Sequence, residues 1–185
     1  MSDRLATPGQ TIGPFFGYAL PYEGGPDLIP AGHPKAIRLT GRVLDGAGVP
    51  IPDALIELWQ ADSSGVVAQS QGSLRRDGWT FTGWGRAATD NAGVYTFTTL
   101  EPGVVDGSAA PWFAFTVFAR GLLNRLFTRA YLPHDGLAAD PFVQSVDADR
   151  RSTLMATPDD AGYVFDIRLQ GPDETVFLRF PSHTD

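Results

Sequence analysis

From Ile37 the chain sets Ile37, Leu39, Gly41 and Val43 against Arg38, Thr40 and Arg42, a period of two that predicts a half-buried β-strand. Asp45-Gly46-Ala47-Gly48 then turns the chain. Ala54 to Gln60 repeats the alternation, with Ile56 and Leu58 on one face and Leu55, Glu57 and Trp59 on the other. Gly93 to Thr99 opposes Tyr95 and Phe97 to Val94, Thr96 and Thr98, and stops at the turn Glu101-Pro102-Gly103. Trp112 to Arg120 is almost wholly apolar and rich in β-formers, as suits a strand covered on both faces. Leu126 to Tyr131, Tyr163 to Leu169 and Thr175 to Phe180 supply further short strands. Residues 62–86 are polar and glycine-rich and predict a long loop. Asp140-Pro141 predicts one short helix, with Asp as N-cap and Pro in the first helical position, leading into Phe142, Val143 and Val146. Seven or so short strands between turn signals predict an all-β fold, an antiparallel β-sandwich with long loops.

Ahead of the first strand, residues 1–35 form an extended N-terminal arm. Gly13-Pro14, Gly24-Gly25-Pro26 and His33-Pro34 argue against any regular element there. Phe15, Phe16, Tyr18 and Tyr22 make it too aromatic for a free tail, so it is expected to lie on this chain's body or on a partner. The arm is read as part of the same domain as the sandwich at residues 36–185. A length of 185 residues with 43% hydrophobic positions is enough for one domain with a real core.

Charge and composition narrow the function. A net charge of −7 with a single lysine, Lys35, argues against nucleic acid as a partner. The absence of cysteine excludes disulfides, thiolate ligands and a Cys nucleophile. Met-Ser-Asp-Arg-Leu-Ala-Thr-Pro lacks the apolar stretch of a secretory signal. The longest uncharged run, Gly107 to Ala119, contains Pro111 and is too short to span a bilayer. The expectation is a soluble, cytoplasmic protein with no membrane partner.

Candidate chemistry is sparse. His33, His134 and His183 lack the short spacing that puts two metal ligands on one element, so no metal site and no catalytic residue is assigned to this chain. No serine sits in a Gly-x-Ser-x-Gly turn. Two features stand out. Thr11-Ile12-Gly13-Pro14-Phe15 is either an ordinary bend or a wall along which a ligand can approach closely. Arg129 shares a strand face with Phe127 and Tyr131, where its guanidinium can snorkel to solvent or hold a carboxylate through two parallel hydrogen bonds.

Three motifs in order carry a family likeness: Thr11-x-Gly13-Pro14-Phe15; Leu58-Trp59-Gln60-Ala61-Asp62 with the hairpin from Thr89 to Gly103; and Tyr163-x-Phe165-Asp166-Ile167 followed by Gly171 and Thr175-Val176-Phe177. Together they resemble the intradiol ring-cleavage dioxygenases over nearly the whole chain. That family implies a non-haem Fe(III) held by two tyrosinates and two histidines. The matching segments here read Gly65-Val66-Val67, Val104-Val105 and Phe115-Thr116-Val117-Phe118, none of which carries Tyr or His. The resemblance therefore implies a chain without iron ligands, its vacant site filled by apolar packing, supporting an iron-bearing beta chain in a higher oligomer of such pairs. The implied reaction is intradiol cleavage of protocatechuate by O2. Thr11, Gly13 and Pro14 would line the partner's pocket like a lid, and Arg129 would reach the substrate. The alternative is a non-enzymatic β-sandwich serving binding or structure.

Overall fold

A computed structural model describes residues 9–13, 15–69 and 76–180. Among them lie nine strands: β1 (Ile37–Leu44), β2 (Leu55–Trp59), β3 (Trp84–Ala88), β4 (Val94–Thr99), β5 (Trp112–Phe118), β6 (Leu126–Tyr131), β7 (Thr157–Asp159), β8 (Gly162–Val164) and β9 (Ile167–Arg168). Two short α-helices accompany them, α1 (Phe16–Ala19) and α2 (Pro141–Ser145), with two single turns of 3-10 helix at Leu137–Ala139 and Arg151–Leu154. One sheet runs β4-β1-β8-β7 with β9 also beside β1, and the other runs β3-β2-β5-β6. The fold is the expected all-β sandwich of largely antiparallel sheets. Between the named strands, parallel pairing enters where β8 and β9 join β1, because they return after a long excursion rather than through a hairpin.

The period-two pattern explains the core. Leu39, Val43, Tyr95 and Phe97 point inward from one sheet and meet Ile56, Leu58, Phe113, Phe115 and Val117 from the other, all fully buried. Phe115 sits edge-on to Tyr95 at 5.8 Å and stacks on Phe165 at 5.4 Å. Burying side chains of this size contributes about 1.5–3 kcal/mol each, so this inter-sheet layer dominates stability. Gly41 on β1 has a local reason. A Cβ there would lie 1.8 Å from the Phe165 carbonyl oxygen, the same atom that accepts the Tyr95 hydroxyl at 2.5 Å.

Four details differ from the sequence expectation. The 62–86 loop ends early, since β3 begins at Trp84. Gly85, Ala87 and Ala88 carry little strand propensity, and the strand exists through its register with β2, with Leu58 opposite Gly85. β7, which contains Pro158, had no sequence signal and forms by pairing with β8. Thr175 to Phe180 forms no strand and is held instead by separate contacts, Thr128 Oγ1 donating to the Val176 carbonyl and Leu178 N to that of Phe127. The arm contains the single turn α1, where Gly and Pro had argued against any element.

The arm lies on this chain's own body. Phe16 meets Phe118 at 5.8 Å, Tyr22 stacks on Trp84 at 6.1 Å, and Leu28 is buried over Gly85. Arg76 secures it, donating to the carbonyls of Gly24, Gly25 and Trp84, to the Tyr22 hydroxyl and to Thr82 Oγ1. Arg86 adds a bond to the Leu20 carbonyl while pairing with Glu57 at 2.6 Å. No helix among the described residues is long and apolar enough to cross a membrane.

Candidate functional site

The Trp59-Gln60-Ala61-Asp62 motif organises two loops at one end of the sandwich. Buried Gln60 accepts from Thr99 Oγ1 at 2.5 Å and donates to the Leu100 carbonyl at 2.8 Å, tying the end of β2 to the end of β4. Asp62 Oδ1 accepts from the Ser64 hydroxyl and from the amides of Ser64 and Val66, and these bonds lower its pKa. The Asp62 carbonyl accepts from Gly103 N at 2.8 Å. Gly65 has φ +85°, and a Cβ there would lie 2.1 Å from the Val104 carbonyl oxygen, so a glycine is required both for the turn and for the contact. The two loops thus meet backbone to backbone.

Onto these loops fall the positions where the family likeness places two tyrosinates. At the first, Val66 and Val67 are 60% and 54% exposed; at the second, Val105 is half-buried. The two histidine positions fall on β5, where Phe115 and Val117 are fully buried between the sheets and Thr116 faces the other way, opposite Glu57. The expectation of a site filled by apolar packing therefore holds at the histidine positions and is corrected at the first tyrosine position, where Val66 and Val67 face outward. Ferric iron needs lone-pair donors, and valine and phenylalanine side chains have none to offer. These residues do not fit the metal. His33 and His134 each accept a backbone amide two residues on, within their own turns, and His183 lies outside the described residues.

A second locus lies on the outer face of β5 and β6. Arg129 on β6 stands opposite Ala114, with its guanidinium 4.1 Å from the Trp112 ring centroid and 5.1 Å from that of Phe142. Its Nη1 donates to the Tyr131 hydroxyl at 3.1 Å, and no described residue accepts from Nε or Nη2. Arg129 is therefore a clamped, half-buried cation with part of its fork unused. Tyr131 in turn donates to Asp140 Oδ1 at 3.0 Å. Burial raises the Tyr131 pKa to about 12, against the lowering effect of Arg129, so the phenol stays protonated. Burial also works to raise the Asp140 pKa, but hydrogen bonds from Ser108, the Ala109 and Val143 amides and Tyr131 outweigh it and hold the value at about 2.

The other expected site residues are only partly placed. Thr11 is exposed, and its Oγ1 accepts from Gly121 N at 2.7 Å, fastening the arm to the turn after β5. Gly13 is exposed, and a Cβ there would meet nothing within 4 Å. Pro14 lies outside the described residues. Nearby Phe15 is 79% exposed. No described contact joins these arm residues to Arg129. Sequence reasoning missed Ser108, Trp112 and the part Asp140 plays beyond capping α2; Ser108 and Asp140 are 32 residues apart in loops, with no local signal linking them.

A family model describing dioxygenases, of the intradiol ring-cleaving kind, matches residues 12–171. The chain belongs to that family. It is similar to the protocatechuate 3,4-dioxygenase alpha chain of Burkholderia cepacia, with 39% identity covering 96% of this chain and 99% of the relative. The beta chain from the same organism is 35% identical, covering 78% of this chain and 68% of that one. Among solved structures, the dioxygenase domain of a dioxygenase carbohydrate-binding protein fusion from Streptomyces sp. SirexAA-E shares the fold. Its TM-score is 0.56 at 24% identity, covering 89% of this chain and 98% of that one. Intradiol dioxygenases depend on iron, and this member lacks the side chains to bind it at the positions where the family likeness puts them.

Proposed function

We propose that this chain is the non-catalytic alpha subunit of a protocatechuate 3,4-dioxygenase, paired with a beta chain that carries the Fe(III). The complex inserts both atoms of O2 as it breaks the ring bond between the two hydroxyl-bearing carbons. Each of those carbons becomes a carboxylate, giving 3-carboxy-cis,cis-muconate. One observation carries the reading: the loop scaffold of the family is intact down to Gln60, Asp62, Gly65 and Gly103, while every ligand position on it is Val or Phe. A scaffold kept without its metal chemistry suits a subunit whose work is done at a neighbour's site. The full-length likeness to an alpha chain supports the same assignment.

This chain's own contribution falls to Arg129 and to the arm at Thr11, Gly13 and Pro14, which would wall the partner's pocket. The unused edge of the Arg129 fork matches a carboxylate, which a guanidinium can bind through two parallel bonds. Assays of the isolated chain, the beta chain and the two co-expressed test the reading. Protocatechuate cleavage is expected at full rate only from the co-expressed pair. Cleavage by this chain alone, or failure of the two chains to copurify, contradicts it.

A further inference from the structure

The groups that surround Arg129 have one organiser in common. Tyr131, which accepts from Arg129, donates to Asp140 Oδ1. Trp112, on which the guanidinium stacks, donates from Nε1 to Ser108 Oγ at 3.2 Å, and Ser108 donates to Asp140 Oδ2 at 2.5 Å. Phe142, on the other side of the guanidinium, belongs to α2, whose first turn is capped by Asp140 Oδ1 accepting from Phe142 N and Val143 N. Ala109 N completes the set at 2.9 Å from Oδ2. Asp140 is fully buried, and no hydrogen bond or ion pair joins it directly to Arg129.

We infer that Asp140, acting through Tyr131, is the positioning residue that aims the Arg129 guanidinium, and that the pair thereby sets the preference for a carboxylated catechol over one without the carboxylate. Orientation is the physical point. An arginine on an exposed strand face loses rotamer freedom when it binds, and that loss subtracts from affinity. Here the cost is met on folding. Two aromatic faces fix the guanidinium plane, and the Tyr131 oxygen fixes its rotation within that plane. Because the phenol is committed as donor to an ionised carboxylate, its lone pairs face Arg129 and accept from Nη1. The remaining N–H groups are then presented in a set direction.

The inference rests on the reading of Arg129 as the carboxylate contact, and the test separates the two. Steady-state kinetics of the assembled alpha–beta complex are measured with protocatechuate and with catechol, which lacks the carboxylate. Arg129→Ala is expected to lower the protocatechuate preference in kcat/KM by about tenfold or more, the loss of a charge-assisted bond. Tyr131→Phe keeps the ring but cuts the relay, and is expected to lower the preference by about threefold to tenfold, carried in KM for protocatechuate. Asp140→Asn, which keeps a capping side chain, is expected to move the ratio in the same direction, with iron content and copurification confirming assembly. If Arg129→Ala leaves the preference intact, the reading of Arg129 fails. If Arg129→Ala abolishes it while Tyr131→Phe and Asp140→Asn do not change the ratio, the positioning role is overturned. An equal loss on both substrates from the Tyr131 and Asp140 variants also overturns it, because it marks a structural role only.

Discussion

Asp140 shows how much one side chain can organise and how little of that a sequence reveals. Its depressed pKa gives a signed prediction. Its hydrogen bonds hold the carboxyl at about 2 in the folded chain, below the ordinary 3.8, so its stabilisation is complete above the unfolded value and declines as pH falls from about 5 towards 2. The full effect is about 2 kcal/mol, with nearly half gone by pH 3. Urea unfolding should therefore show the native chain losing about 1 kcal/mol more than Asp140→Asn between pH 7 and pH 3. Identical pH slopes would contradict this account of the network. The cap itself was legible, since Asp-Pro before an apolar run is a local signal. The bonds to Ser108 and Tyr131 were not, because they join loops and a strand brought together only by the fold.

The strands read from their alternation, β1, β2 and β4, were readable because each has one face in the inter-sheet core. β3 was not, since its small residues are selected by the close approach of Leu28 and by pairing with β2 rather than by propensity. The arm was half-readable: its aromatics demanded a surface, but sequence could not say whose. Arg76 settles that, through five acceptors around residues 22–25 and 82–84. Arg76→Ala should release the arm, raising amide hydrogen exchange at residues 25–28 by about tenfold or more while the amides of β5 are unaffected. Lysine should not restore protection, because an ammonium cannot reach acceptors spread across a planar fork. Unchanged exchange at residues 25–28 in Arg76→Ala would show that stacking of Tyr22 on Trp84 and burial of Leu28 hold the arm without it.

At the scale of the whole molecule, the fold and the family were legible, and so was the vacancy, because the ligand positions are single residues within ordered motifs. The exposure of Val66 and Val67 was not, since it depends on how two loops meet at Gly65 and Gly103. The result is a dioxygenase sandwich that keeps its scaffold, cannot bind the family's iron at the inherited positions, and carries a clamped arginine and an arm laid along its own body. The most direct test is the metal content and visible spectrum of the purified chain alone and copurified with its beta chain. No stoichiometric iron and no tyrosinate charge-transfer colour are expected in the lone chain, with both present in the pair. A lone chain that is coloured, iron-loaded and active would contradict it.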